Sequence, residues 1–560
     1  MLLCGAFAHA VAAAPLNAVQ LENMQTGTTD WQQRLGGDIA VYGTQLAAAP
    51  GDAVALHVST AYRYRIVVYR LGWYGGAGAR QMLCLPACDG DEQGQAQRPP
   101  GPPPRAPLDP PIRAGWPVTD TVQTDPSWTS GYYLVEARLT TGPWAGRVAT
   151  TFFILHQAPS TVFLPSRILV QVPVNTWEAY NSWGGRSLYD LTGPRMYRVS
   201  FQRPFGDFAQ SPFWWEIQLV RFLEREGYDV SYQTDLDTDA DPTSLLRHRL
   251  VVVAGHDEYW TKGIREAFDT AVAAGTNVAF MGANEGYWRV RYEDNGQTIF
   301  AYKSLYDPAP NLADKTAMFR EIGSPECQLE GDQFQSLAPI PALLNYTVTR
   351  DGAADPWLAG TGLNSGDTLV GAVSREHDKV NPYPASCFHP GLKSLFHYDG
   401  HGVDQDGDAT RFTAPSGARL FSSGSFQFNW LLDGWRSDGT IGPVPPTDPW
   451  HGVSEDPRVQ QFMRNALDDL TRPAAPANLT VSVVGSTLSV SISNNDPRVR
   501  GFVAGIRAGG QWVVLCRRPG VFSCAVAGPP PGGPYVVGAF VVDQWGRRST
   551  AAFTTFMRQR

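Results

Sequence analysis

The chain has 560 residues, 43% of them apolar and 18% charged, enough for about three or four domains with real cores. A formal charge of −8 with no lysine-arginine run excludes a nucleic-acid footprint. No apolar stretch reaches the roughly 20 residues a membrane span needs.

Residues 1–14, MLLCGAFAHAVAAA, read as a signal segment because they are apolar and end in small residues, although the usual basic start is missing. Export to the periplasm or beyond is therefore expected, with the cytoplasm as the alternative if this reading fails. Of the seven cysteines, setting Cys4 aside leaves six. An even, closely spaced set favours disulfides in an oxidising compartment. Cys84 with Cys88, Cys327 with Cys387 and Cys516 with Cys524 are plausible pairs, but sequence does not fix the pairing. Six reduced, buried thiols are the alternative. No CxxC pair is present to make a cysteine zinc site.

Residues 15–157 read as a β-sandwich domain. The segments 54–58, 64–69 and 132–139 are β-branched or aromatic and bounded by Gly, Pro and Asp. The proline-dense stretch 98–117 is expected to be an exposed loop, because it can neither pair in a sheet nor continue a helix.

Residues 158–471 alternate strand and helix. Apolar strands at 168–173, 250–254 and 278–281 each run into a polar, aromatic loop. Helical spacing at 213–226 ends at Gly227, and that at 264–274 ends at Gly275. A short strand follows at 229–233. This grammar predicts a parallel sheet of glutamine-amidotransferase or flavodoxin type, whose three loops converge outside the carboxyl ends of the strands. Past residue 300 the pattern loosens, with strands near 368–373 and 419–427 and a closing helix at 457–470. After a proline-rich linker, residues 472–560 read as a fibronectin III-like β module with a spacing or adhesive role. The fold class is thus multidomain, α/β plus all-β.

Within the loop after 250–254, strand alternation leaves His256 and Glu258 on one side and Asp257 on the other. A carboxylate and a histidine so placed suit metal ligation or acid-base work. Other signals are weaker. Asp404-Gln-Asp406-Gly-Asp408 resembles a calcium loop but lacks the glutamate at position twelve. Neither Gly72–Gly78 nor Gly282–Gly286 suits a phosphate, and no Gly-x-Ser-x-Gly elbow occurs. Asp235, Asp237, Asp239 and Asp241 are expected to form a solvated acidic edge.

Four stretches carry a family resemblance: NTWEAYNSWGGRSLYD (175–190), FWWEIQLVRFLEREGYDVSYQTDLD (213–237), HRLVVVAGHDEYW (248–260) and NVAFMGANEGYWRVRY (277–292). With YRIVVYRLGWYGGAGAR (64–80), they resemble the large (beta) subunit of N,N-dimethylformamidase and the proteins sharing its C-terminal domain. The resemblance implies an amide hydrolase acting on a linear C–N bond of a small amide, with one Fe³⁺ held by two tyrosines and a glutamate. By position, Glu258 would be the carboxylate ligand, Tyr180 one tyrosine ligand and Tyr133 the other, with Tyr132 as its alternative. His256 would stand beside the ion, and Asn284 and Lys303 would line the pocket. The family enzyme also works with a small partner subunit, and a homo-oligomer is compatible with the chain.

Phenolate and carboxylate oxygens are hard anionic ligands suited to a trivalent cation. Each residue also has a plainer role. Tyr180 could cap a core near Trp177 and Trp183, Tyr133 could be a strand residue, and Glu258 could face a helix N-terminus. Asn284 could form an Asx turn, and Lys303 could be solvated. Two other functions compete with the iron amidase: a non-catalytic exported binder of carbohydrate or polymer, and a metal-independent amidohydrolase using His256 and Glu258.

Overall fold

The computed structural model describes residues 16–33, 35–157, 164–190, 194–206, 212–337, 344–381, 384–401, 405–435, 453–508 and 511–558. The signal reading of 1–14 and Asp404 of the calcium-like loop lie outside them. Every residue of β1 (Ile168–Val172), β2 (Val230–Thr234), β3 (Leu250–Gly255) and β4 (Asn277–Gly282) is buried. That pattern belongs to strands covered on both faces. They pair in parallel in the order β2-β1-β3-β4, with Ile168 opposite both Val230 and Leu250, and Leu250 opposite Asn277.

The sheet does not stay parallel. The chain adds β5 (Leu344–Val348), β6 (Thr368–Val373), β7 (Lys393–Tyr398), β8 (Gly407–Thr413) and β9 (Arg419–Ser422), making nine strands in the order β2-β1-β3-β4-β9-β8-β7-β5-β6. Strand β9 joins β4 in parallel, and the pairs beyond it are antiparallel. In this half, connections without long crossover helices return the chain beside itself, which antiparallel pairing permits.

Helix α1 (Val174–Tyr180) leaves β1 directly and is buried over all but its last residue. Helix α2 (Ile217–Arg225) is separated from the turn Pro212–Trp215 by Glu216. The Glu216 carboxylate is drawn inward, accepting from Tyr132 Oη at 2.7 Å and Trp177 Nε1 at 2.8 Å. The predicted helix 213–226 is therefore interrupted. Helix α3 (Lys262–Ala273) is capped by Thr261, whose hydroxyl accepts from Ile264 N at 3.1 Å. Helix α4 (Pro457–Leu470) starts with proline behind an Asp456 cap and lays Phe462 against Phe396, Phe421 and Phe428.

Two mainly antiparallel sheets precede this region. One orders Ala40–Gly43, Ala53–Ser59 and Asp120–Gln123, and the other is built on Arg63–Leu71, Gly131–Leu139 and Val148–Leu155. They share a core of Val41, Leu56, Val58, Ile66, Val68, Tyr133 and Phe153. The opposite face of the larger sheet, with Tyr132, Leu134 and Phe152, joins the core of the nine-stranded sheet. The proline-dense stretch is not simply an exposed loop, because Ile112 and Trp116 are buried and Trp116 packs between Tyr42 and Trp183. The aspartates from 235 are not all a solvated edge: Asp241 is partly exposed, but Asp235 is not. Asp235–Ala240 is a helix, and buried Asp235 accepts from Asn175 N at 3.0 Å.

At the C-terminal end, three- and four-stranded sheets close over Leu488, Val490, Phe502 and Val537. This unit seats on the amino ends of β3 and β4: Arg498 donates to His248 O and to Thr276 Oγ1. Disulfides join Cys84–Cys88, Cys327–Cys387 and Cys516–Cys524. Among the described residues, no helix is long and apolar enough to cross a membrane.

Candidate functional site

The carboxyl ends of β1, β3 and β4 bring three loops together. Gly282 at the end of β4 touches the backbone after β3: a Cβ there would stand 1.7 Å from Gly255 O, so only glycine fits. The loop after β3 is tied on both sides. Glu258 N donates to Thr176 Oγ1 of α1 at 2.9 Å, while Gly286 N and Trp288 N donate to the carbonyls of Asp257 and Glu258. Asp257 turns away and accepts from Gln171 Nε2 at 2.8 Å. His256 and Glu258 share the opposite side, with His256 Nε2 3.6 Å from Glu258 Oε2.

Two phenols close on that carboxylate. Tyr180 Oη donates to Glu258 Oε2 at 2.8 Å, and Tyr189 Oη lies 2.8 Å from both Glu258 oxygens. The two rings stack with centroids 4.2 Å apart. Tyr189 reaches this place because Leu188 N bonds back to Ala179 O at 3.0 Å, folding the chain after α1 onto the helix. A third phenol, Tyr259, donates to Tyr189 Oη at 2.6 Å.

The same Nε2 of His256 also faces Glu376 Oε2, at 3.2 Å. Asn284 links the parts: its side-chain amide donates to Glu376 at 3.0 Å and its backbone N to Asp378 Oδ1 at 2.9 Å. The Lys303 ammonium sits 3.7 Å above the Tyr189 ring and 4.8 Å from that of Tyr259, a cation–π position. Asn284 and Lys303 both have left-handed backbone, φ 57° and 56°. Asparagine tolerates this region; for lysine it costs about 1 kcal/mol or more, and such strain concentrates at functional sites. Phe426 lies 5.0 Å from the His256 ring and packs on Trp215, forming an apolar wall.

Burial raises Glu258, with His256 and Lys303 pulling the other way. Burial also pushes Lys303 down to about 7. Burial would lower His256, yet the Glu376 and Glu258 carboxylates hold it above its ordinary value. Burial and the Glu258 charge raise Tyr180 and Tyr189 well above the usual phenol. A cation among them would reverse that order by favouring phenolate.

Tyr180, Glu258, His256, Asn284 and Lys303 thus meet in one place. Tyr133 does not join them. Its hydroxyl donates to Thr129 O at 2.7 Å, and its ring stacks between Trp128 and Phe153 in the N-terminal core. Tyr132 faces the other way, onto Glu216. The second phenol at Glu258 is Tyr189, which lies inside the stretch 175–190 that carries the resemblance. Glu376 gave no signal, because it lies in the loose region after residue 300.

Residues 65–441 match the family described as N,N-dimethylformamidase beta subunit-like, C-terminal. The chain belongs to that family. Its relatives include the N,N-dimethylformamidase beta subunit of Paracoccus aminophilus, 29% identical over 120 residues, which are 19% of this chain and 16% of that protein. The beta subunit from Alcaligenes sp is 28% identical over 123 residues, 20% of this chain and 16% of that protein. The match therefore spans a small part of either relative. Among solved structures, the spore cortex lytic enzyme SleM of Clostridium perfringens overlays 17% of this chain and 31% of its own, at 17% identity and a TM-score of 0.15. That likeness is too slight to bear on the fold.

Proposed function

We propose that this chain is an exported amide hydrolase that uses one ferric ion to cleave a linear C–N bond of a small amide. The observation that carries the proposal is the convergence of two phenols on one carboxylate: Tyr180 and Tyr189 both lie 2.8 Å from Glu258 oxygens. This donor set is hard, oxygen-only and trianionic when ionised, which fits Fe³⁺ better than Zn²⁺. Tyr180, Tyr189 and Glu258 would hold the ion, and the family membership supports the assignment. Bound there, iron would supply Lewis acidity toward an amide carbonyl and toward water.

The remaining chemistry belongs to the chain. His256, whose protonated form the Glu376 and Glu258 carboxylates favour, would supply the proton that the departing amine nitrogen needs. Asn284 fixes Glu376, and so sets the tilt of the imidazole. Lys303 over the phenol rings favours their ionised form. Phe426 and Trp215 keep water from one side of the pocket. Residues 472–560 act as a fibronectin III-like spacer.

A second reading rests on the 3.2 Å contact between His256 and Glu376, which could serve as a metal-independent acid–base pair. Amine release from small formamides and acetamides, measured before and after chelation, separates the two. Loss on chelation and recovery with iron is expected, and activity that survives metal removal would favour the dyad. No amine release under any condition would sink both.

A further inference from the structure

A second acidic centre lies beside the pocket, outside the chemistry described above. Glu330 ends the turn Cys327–Glu330, Asp332 follows it, and Asp378 lies on the strand Glu376–Lys379. Each of the three places a carboxylate oxygen within 4.8 Å of the other two. Their exposures are 2%, 0% and 0%. A fourth carboxylate, Glu285 from the loop after β4, is 1% exposed, and neither of its oxygens has a hydrogen-bond partner. Among charged neighbours, Glu285 acts most strongly on Glu330, and Asp378 and Asp332 act on Glu285 in turn. Gly282 makes room for it, since a Cβ there would stand 2.3 Å from Glu285 Oε1. Glu330 Oε2 and Asp332 Oδ1 are also without partners.

Four carboxylates buried together repel one another, and buried oxygens without partners are costly. The nearby Arg320 guanidinium acts on Asp378 but makes its own bonds to Glu326, at 3.0 Å, and to Phe334 O, at 2.7 Å. A hard cation answers both the repulsion and the bare oxygens. We propose that Glu285, Glu330, Asp332 and Asp378 form a calcium site that braces the floor of the pocket. Carboxylate oxygens alone point to a hard divalent ion. Four protein carboxylates favour calcium over magnesium, which is usually held by only one or two carboxylates and keeps several waters. The site is separate from the loop at 404–408, where Asp406 accepts from Gly400 N and Asp408 from Ser394 Oγ and Val380 N. Asp378 accepts from Asn284 N, and the Asn284 side chain holds Glu376, so the ion would fix the arm that orients His256. This inference stands whether or not the iron reading does.

The test uses the full chain, stripped with EGTA and titrated with calcium chloride by calorimetry and thermal melting. One calcium per chain and a rise of about 5 °C in Tm at saturation are expected, with little response to magnesium. The double variant Glu330→Gln, Asp332→Asn should lose both the binding heat and the rise in Tm. Should that variant fail to fold, elemental analysis of the wild-type chain after gel filtration in calcium decides. No bound calcium and an unchanged Tm would overturn the proposal. A variant that binds calcium as well as the wild type would do the same.

Discussion

The two ends of β3 carry the same residue type in opposite states. At the amino end, His248 is buried and bonds to Ser166 O at 2.7 Å, with Arg247 and Arg498 nearby; burial first, and those cations second, push it down to about 4. At the carboxyl end, His256 is buried as deeply, yet two carboxylates hold it above its ordinary value. Burial alone would neutralise both rings. The carboxylates make the difference: at the amino end those of Asp496 and Asp543 pair with Arg249 rather than with His248. The amino end is a seam against the C-terminal sheets, whereas the carboxyl end is where an open α/β sheet places its chemistry.

The largest effect expected from breaking this contrast is at Glu258. Glu258→Gln should abolish amide hydrolysis by about 10³-fold or more, because the central anionic oxygen is gone, while circular dichroism stays that of the wild type. A folded variant with wild-type turnover would refute the site. The amino end should respond in stability instead. His248 titrates near 4 folded and near 6.5 unfolded, so between those values the unfolded chain binds the extra proton. Its contribution is complete above pH 6.5 and falls away as pH drops toward 4, by about 3 kcal/mol. Denaturant melts across that range should show the slope in the wild type and a flatter one in His248→Gln, with turnover at neutral pH alike in both.

Glu376→Gln sharpens the carboxyl end. Losing the partner that orients His256 should cost about 10–100-fold in turnover, with a smaller effect on substrate affinity. An unchanged rate would mean that the imidazole needs no such hold. The smallest effect is expected at Tyr133→Phe, which removes one hydrogen bond to Thr129 O, about 1 kcal/mol of stability, and leaves turnover unchanged.

That last variant marks where the sequence could and could not be read. The meeting of the loops that carry Tyr180, His256, Glu258 and Asn284 was legible because β1, β3 and β4 are apolar runs whose ends converge, whereas the choice of Tyr180 and Asn284 within those loops rested on the family resemblance. Neither Tyr133 nor its alternative Tyr132 meets Glu258: they point to opposite faces of one strand, toward the N-terminal core and Glu216 respectively. Tyr189 sits in an irregular loop, where no periodicity tells which side chain folds back. Glu376 and Asp378 come from a strand that pairs with Gln333–Leu337, about 40 residues earlier in the chain, and local pattern carries no trace of such pairing. The same gap hid the antiparallel half of the sheet. The helix at Asp235 was missed because the aspartates of its first turn, behind the Thr234 cap, read as a charged loop.

The central claim, that Tyr180, Tyr189 and Glu258 hold one ferric ion, is tested most directly by the visible spectrum of the iron-loaded chain together with its iron content. One iron per chain and a phenolate-to-iron absorption band are predicted, weakened and shifted in Tyr189→Phe and unaltered in Tyr133→Phe. A colourless chain that takes up no iron, or a band that survives loss of Tyr189 but vanishes with Tyr133, would contradict it.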